Sequence, residues 1–137
     1  MNPEIQSLIQ QADQAIREER FDDLMEFYTE DAVLMINGKK EAHGKKAIKE
    51  AFIQIAAYFQ NSLVPTQGKM RMIEAGDTVL VLSQTLLDAD NKAESAYSME
   101  RRATYVYRRI GGKWLCAINK APATVASPFL RSVALAL

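Results

Sequence analysis

The sequence is poor in the residues that build metal centres and covalent cross-links. It has one cysteine, Cys116, and one histidine, His43, in 137 residues. One cysteine cannot form an internal disulfide or a cysteine-based zinc site, and one histidine cannot build a multi-histidine metal centre. We therefore expect no metal and no cofactor. Because no histidine lies near Cys116 in the sequence to activate its thiol, we interpret it as an inert buried cysteine.

Net charge and long apolar runs are missing as well. Seventeen Lys and Arg residues balance seventeen Asp and Glu residues, so no overall field recruits nucleic acid or an anionic membrane surface. The first twenty residues are interrupted by charges and glutamines, which predicts neither a signal peptide nor a membrane span. The composition predicts a cytoplasmic protein with no nucleic-acid or membrane partner, folded as a single domain over residues 1–137.

Helical periodicity occupies the first half of the chain and strand periodicity the second. Asn2 and Pro3 begin a first helix with an apolar face that runs to Ile16, and residues 43–59 form the clearest helix. Between them the pattern indicates a short helix ending near 28–31 and a brief strand at 32–36. Four strands follow at 68–75, 77–87, 96–110 and 113–121, separated by turn signals. This order predicts an α+β domain with helices on one face of a curved antiparallel sheet.

The strand predicted at 77–87 is apolar on both of its faces. A strand that is buried on one side only should alternate with polar residues, so the second face of this sheet needs a cover. We expect that cover to be a second copy of the chain, giving a homodimer through the outer sheet face. The rival cover is the apolar C-terminal segment 123–137, which contains one charged side chain and could fold back.

Three short motifs in fixed order resemble one known family. They are FYTEDAVLM at 27–35, GKKAIKEAF at 44–52 and GGKWL at 111–115. Their order and spacing resemble the SnoaL-like branch of the nuclear transport factor 2-like superfamily. The resemblance implies a cone-shaped, curved antiparallel sheet wrapped around N-terminal helices with an internal pocket. Members include isomerases, polyketide cyclases, dehydratases, transport adaptors and oligomerisation domains, so the fold alone does not decide the activity.

The catalytic residues of the family's best-understood enzymes do not carry over to this chain. At the positions that resemble the base, the tyrosine acid and the carboxylic acid partner of the steroid isomerases, it has Ile36, Ala12 and Thr104. An isomerase of that mechanism needs all three groups. The dehydratase members use a His–Asp pair, whereas His43 is predicted in the loop before a helix. No catalytic residue is therefore assigned.

Arginine pairs frame the aromatic strand RRATYVYRRI. If residues 97–110 form one strand, Arg102 shares a face with Thr104, and Tyr105 and Tyr107 lie on the other. The arginines either reach water at the ends of a buried strand or, in the case of Arg102, bind the carboxylate or phosphate of a ligand. An RNA-binding strand is disfavoured because the glycines of that pattern are missing.

Six residues are predicted to line the pocket: Tyr28, Leu34, Ile36, Arg102, Thr104 and Asn119. Alternation along the last strand places the polar Asn119 on the opposite face from Cys116. The predicted function is a small-molecule pocket for an apolar or carboxylate-bearing metabolite, with metal-free acid–base activity of isomerase, cyclase or dehydratase type where it is an enzyme. The alternative is a dimeric assembly or adaptor module without catalysis.

Overall fold

The computed structural model of the protein describes residues 2–37, 40–58, 64–88 and 100–120, with side chains described except at 37, 58, 64–67, 84–88 and 100–102. The first residues of the strand predicted at 96–110 and the C-terminal segment 123–137 lie outside these residues. The chain's single-domain organisation over 1–137 stays a prediction.

Three helices precede or interrupt the first strands. They are α1 (Pro3–Arg17), α2 (Phe21–Met25) and α3 (Gly44–Tyr58). As predicted, Asn2 caps α1: its side-chain oxygen accepts hydrogen bonds from the backbone N–H groups of Glu4 (3.0 Å) and Ile5 (3.1 Å). No helix in the described residues is long and apolar enough to cross a membrane.

Six strands form one curved sheet. They are β1 (Tyr28–Asn37), β2 (Lys40–His43), β3 (Val64–Ala75), β4 (Thr78–Asp88), β5 (Glu100–Ile110) and β6 (Lys113–Lys120). The strand order is β2-β1-β6-β5-β4-β3, and every pair is antiparallel except β1 with β6. Gly111 and Gly112 both have positive φ in the tight turn between β5 and β6, a conformation that suits glycine. The predicted α+β architecture with a curved, mostly antiparallel sheet is confirmed.

The core lies between the three helices and the inner face of the sheet. Helix α1 packs against β3, α3 packs against β1 and β2, and α2 bridges the other two helices. Five large side chains are almost completely buried there: Ile5, Leu24, Ile48, Val79 and Val81. The two halves of the sequence, helical and stranded, therefore meet in one hydrophobic layer.

The outer face of the sheet has no helix over it in the described residues. Ile73 on β3, Leu82 on β4 and Ile118 on β6 are 45%, 40% and 40% exposed. The neighbouring Leu80 and Val106 are half-buried. Strand β4 is apolar on both faces, as predicted. One face lies in the core and the other is open.

The segment between α2 and α3 differs from the prediction. The short second helix ends at Met25, and Tyr28 is the first residue of a ten-residue strand rather than the end of a helix. His43 was predicted in a loop but ends β2, where its Nε2 lies 2.8 Å from Glu41 Oε1. A four-residue strand rich in charge carries too weak a period-2 signal to be recognised.

Candidate functional site

A cavity lies between α1 and the inner face of the sheet. Its volume is about 40 Å³, and it is lined by Ile9, Ala12, Asp13, Ile16, Leu24, Phe27, Tyr28, Tyr105, Tyr107, Cys116 and Asn119. The wall on the helix side is mostly apolar, and the wall on the sheet side carries hydroxyl, thiol and amide groups. Apolar walls with a few convergent polar groups are typical of small-molecule sites.

A hydrogen bond across the sheet fixes the polar end of the cavity. Asn119 Nδ2 donates to the hydroxyl oxygen of Tyr28 at 3.0 Å, although the two residues are 91 positions apart in the sequence. Because the Tyr28 oxygen accepts this bond, its own hydrogen can be donated to another acceptor. Both residues were predicted for the pocket, and they lie together at this cavity.

An irregularity in β6 places Cys116 and Asn119 at the same cavity. Tyr107 pairs with Cys116, but Tyr105 pairs with Asn119, so the register shifts by one residue between them. Strict alternation predicted these two side chains on opposite faces. That prediction is wrong, because β6 has one additional residue between the two pairs, a β-bulge, and the bulge places both side chains on the inner face. Bulges of this kind have no reliable sequence signal, since they depend on the partner strand.

Burial keeps the Tyr28 and Tyr107 hydroxyls and the Cys116 thiol protonated. Removal from water raises the pKa of Tyr28 and of Tyr107 well above the ordinary tyrosine value, and the charge of nearby Asp13 adds a smaller contribution of the same sign. Burial also raises the pKa of Cys116, whose Sγ lies 3.3 Å from the Ile118 carbonyl oxygen. The tyrosines are therefore neutral hydrogen-bond donors, and the thiol has no nucleophilic thiolate to offer.

Asp13 also lines the cavity and was not predicted as a pocket residue. It lies on α1, is only 8% exposed and lines the cavity. The signal was present in the helical spacing: Asp13 follows Ile9 by four residues and lies between Ala12 and Ile16, both on the apolar face. Charged groups are rarely buried unless they are paired, and Asp13 does have an interaction within the protein.

Leu34, Ile36 and Thr104 were also predicted for the pocket, but they are not among the described residues that line this cavity. Leu34 and Ile36 are buried in the core, and Leu34 pairs with Asn119 in the sheet. Thr104 pairs with Leu82, which places it on the outer face, while Tyr105 faces the cavity. The alternation along β5 is as predicted, and it is the Tyr105 face that lines this cavity, so a ligand-binding role of Thr104 stays a prediction.

Two of the four arginines around the aromatic strand have structural partners. Arg108 donates to Asp31 Oδ1 at 2.8 Å, and Arg109 lies over the Trp114 ring at 5.1 Å from its centroid. Arg102 pairs with Gln84 in the backbone register, but its side chain is outside the described part, as is that of Arg101. The ligand-binding role of Arg102 stays a prediction.

Metal ligands are not clustered in the described residues. No group of three or more His, Cys, Asp or Glu side chains within them is placed to hold a metal ion. What the cavity contains instead is one carboxylate, neutral tyrosine hydroxyls and one amide. These groups can bind a small molecule by hydrogen bonds and charge.

Comparison with known proteins gives a consistent family and fold. The model of the SnoaL-like domain matches residues 5–117. A search of curated proteins found no match. An NTF2-like protein with a cystatin-like fold from Novosphingobium aromaticivorans is 16% identical with a TM-score of 0.74, over 96% of this chain and 86% of that one.

Two further solved structures share the fold. ActVI-ORFA from Streptomyces coelicolor is 18% identical with a TM-score of 0.74, over 88% of this chain and 95% of its own. LinA is 20% identical with a TM-score of 0.73, over 87% of this chain and 82% of its own. At these identities the likeness concerns the fold, and the resemblance predicted from the three sequence motifs is confirmed.

Proposed function

This chain belongs to the SnoaL-like domain family, and we propose that it is a small-molecule-binding protein whose ligand enters the cavity between α1 and the sheet. The single observation that carries the proposal is the Tyr28–Asn119 hydrogen bond at the polar end of an otherwise largely apolar cavity. A buried polar pair held by elements far apart in the sequence gives a ligand an oriented hydrogen-bonding group.

The dimensions of the cavity indicate how much of the ligand it encloses. A volume of about 40 Å³ holds about three water molecules at roughly 10–15 Å³ each. The described residues therefore enclose a small ligand or the head group of a larger one. The apolar side chains Ile9, Ile16 and Leu24 would contact its hydrocarbon part, and the tyrosines and Asn119 its polar atoms.

An acid–base reaction on such a ligand would use two groups of the same cavity. Tyr28 is neutral and can donate a hydrogen bond to a developing negative charge on oxygen, while the carboxylate of Asp13 is the proton acceptor on the opposite wall. This pair supports metal-free proton transfer of the isomerase, cyclase or dehydratase type. In an assay of proton exchange on the retained ligand, Asp13→Asn would abolish exchange, whereas Glu4→Gln on the exposed start of α1 would leave it unchanged.

Native mass spectrometry of gently purified protein tests the binding function. We expect a reproducible extra mass on the folded protein that denaturation releases, and its loss in a Tyr28→Phe/Asn119→Leu double variant. Both replacements keep most of the side-chain volume, so the variant tests hydrogen bonding rather than packing. An adduct that persists unchanged in the double variant would contradict binding at this cavity.

A dimeric assembly module is the second candidate function. The exposed Ile73, Leu82 and Ile118 on the outer sheet face favour it, because apolar side chains left in water on a flat sheet suit burial against a second copy. In this function the homodimer is the active form and the cavity is vestigial. Both candidates are compatible with the predicted cytoplasmic location.

A further inference from the structure

Three residues that line the cavity lie side by side on neighbouring strands. Cys116 of β6 pairs with Tyr28 of β1 on one side and with Tyr107 of β5 on the other. Neighbouring strands lie about 4.8 Å apart, so the backbones of the two tyrosines are separated by about 10 Å, with the short side chain of Cys116 between them. The small residue leaves space in this row, and a tyrosine borders that space on each side.

The hydroxyl of Tyr107 has no hydrogen-bond partner within the described residues. Tyr107 is only 3% exposed, so its hydroxyl is also removed from bulk water. Buried hydroxyl groups are usually hydrogen-bonded, because burying one without a partner costs free energy. On the wall of a cavity, this hydroxyl is therefore available to a ligand.

Tyr28 supplies a second hydrogen to the same space. Its oxygen accepts from Asn119 Nδ2 at 3.0 Å, which leaves its own hydrogen for another acceptor. Burial is the main cause of the raised pKa of Tyr107, and nearby Cys116 and Tyr28 raise that pKa further, so the ionisable groups of the three residues lie close together. The Cys116 thiol donates to the Ile118 carbonyl oxygen, so the two donors left for a ligand are neutral hydroxyls.

The walls favour an uncharged ligand. No lysine, arginine or histidine is among the described lining residues, and the acidic Asp13 has an interaction within the protein. A charged ligand that leaves water needs a free counter-charge, because burying an unpaired ion costs far more than burying an uncharged polar group. An uncharged ligand avoids this cost, and its polar atom has only to accept the hydrogens of the two tyrosines.

The volume suits one acceptor group and the carbons next to it. A space of about 40 Å³ holds about three non-hydrogen atoms at roughly the size of a water molecule each. A carbonyl oxygen has two lone pairs and can accept one hydrogen bond with each of them. Ile9, Ile16 and Leu24 provide apolar contacts for the hydrocarbon part of such a ligand.

We infer that the ligand of this cavity is uncharged and presents an oxygen that accepts two hydrogen bonds, as a carbonyl oxygen does, one from Tyr28 and one from Tyr107. This inference rests on the proposed binding function and names its ligand class. It replaces the carboxylate-bearing metabolite expected from the sequence with an uncharged acceptor, and it makes Tyr107 a residue that determines specificity.

Ligand-observed NMR titration with three probes of nearly the same shape tests the ligand class. The probes are butan-2-one, 2-methylbut-1-ene and propanoate. A CH₂ group replaces the carbonyl oxygen of the ketone in the alkene, and an anionic oxygen replaces the methyl group beside the carbonyl in propanoate. We expect butan-2-one to bind at least about tenfold more tightly than propanoate, because the anion loses its water without gaining a counter-charge.

A matched pair of variants assigns the preference for an acceptor oxygen. Tyr107→Phe keeps the ring and removes the hydroxyl, so it should weaken butan-2-one binding at least about threefold and leave 2-methylbut-1-ene within about twofold. The same variant should keep or raise the melting temperature, because the lost hydroxyl has no partner in the described protein. Thr29→Val is the control: Thr29 donates to Asp31 and is not among the described lining residues, so neither affinity should change.

The possible results separate the ligand class from the binding function. Tighter binding of propanoate than of butan-2-one by the unaltered protein would overturn the inference while supporting a binding cavity, and this ranking needs no variant to fold. An unchanged ratio of ketone to alkene affinity in Tyr107→Phe would also overturn it, as would binding of none of the three probes. The binding function itself is judged separately, by the releasable adduct and its loss in the Tyr28→Phe/Asn119→Leu variant.

Discussion

The two faces of strand β5 show how one sequence builds two different surfaces. Tyr105 and Tyr107 lie on the inner face, where they line the cavity against α1. Thr104 and Val106 lie between them on the outer face, where no helix covers the sheet in the described residues. Adjacent residues therefore belong to different environments, and each surface can change without direct effect on the other.

The inner face of the sheet carries polar groups with specific partners, whereas the outer face carries mainly apolar side chains. The inner face combines packed apolar groups with a few polar groups whose partners are fixed, as in the Tyr28–Asn119 hydrogen bond. The outer face has exposed aliphatic groups such as Leu82 and Ile118, and the Arg108–Asp31 ion pair lies at its periphery. We therefore expect inner-face substitutions to change folding and ligand binding, and outer-face substitutions to change association.

The sharpest contrast is between Val81→Asp and Leu82→Asp. The two positions are consecutive on β4, but Val81 is completely buried and Leu82 is 40% exposed. Burying an unpaired carboxylate should cost more than about 4 kcal/mol and leave Val81→Asp unfolded, whereas Leu82→Asp should change the stability of the folded subunit by less than about 1 kcal/mol. Urea unfolding followed by circular dichroism measures both, and equal losses would contradict the assignment of faces.

The second expected effect is on dimer formation, and it concerns substitutions on the outer face alone. If two copies pair through this face, Leu82→Asp and Ile118→Asp should each raise the dimer dissociation constant at least about tenfold, because each places a charge in an apolar interface. Analytical ultracentrifugation over a range of concentrations measures this. Glu4→Gln on α1 is the control, and a chain that is monomeric before any substitution would refute the homodimer.

A smaller effect is expected from the hydroxyl of Tyr28. Tyr28→Phe removes the acceptor of the Asn119 amide and leaves that buried donor without its partner, which should lower the free energy of unfolding by about 1–3 kcal/mol. Asn119→Leu in the same background removes the donor as well and should recover part of the loss. Additive losses in this double-mutant cycle would show that the hydrogen bond contributes nothing to stability.

The smallest expected effect is a dependence of the melting temperature on pH, and it arises from Asp31 at the edge of the outer face. The Thr29 hydroxyl and the Arg108 guanidinium lower the pKa of Asp31. Since the pKa is lower in the folded state, this stabilisation is present above the unfolded pKa and is lost as the pH falls through the folded one. Thr29→Val and Arg108→Gln should each flatten the decline of melting temperature between neutral and acid pH. An unaltered decline in both variants would contradict this linkage.

The sequence predicted the architecture better than it predicted the site. Helical spacing from Ile5 to Ile16 and the long apolar strands determine the layers, because a whole face must be buried for the chain to fold. Tyr28 and Asn119 were also identified as pocket residues and line the cavity. These predictions depend on patterns repeated over many residues or on the family resemblance.

The rest of the site depends on contacts that local patterns do not contain. The bulge that brings Cys116 and Asn119 to one face arises from the pairing of β6 with β5, and the cavity face of β5 depends on which side α1 packs. From the sequence alone, the Thr104 face and the Tyr105 face of β5 were equally good candidates for lining the cavity. Asp13 was detectable, because a carboxylate between Ala12 and Ile16 on a buried stripe is itself an anomaly.

Methyl-group NMR during titration with butan-1-ol, a small molecule with an apolar chain and one hydroxyl, tests most directly the claim that the inner face binds small molecules and the outer face does not. We expect shifted methyl signals for Ile9, Ile16 and Leu24, which line the cavity, and unchanged signals for Ile73, Leu82 and Ile118 on the outer face. Shifts confined to the outer-face methyl groups, or equal shifts on both faces, would contradict it.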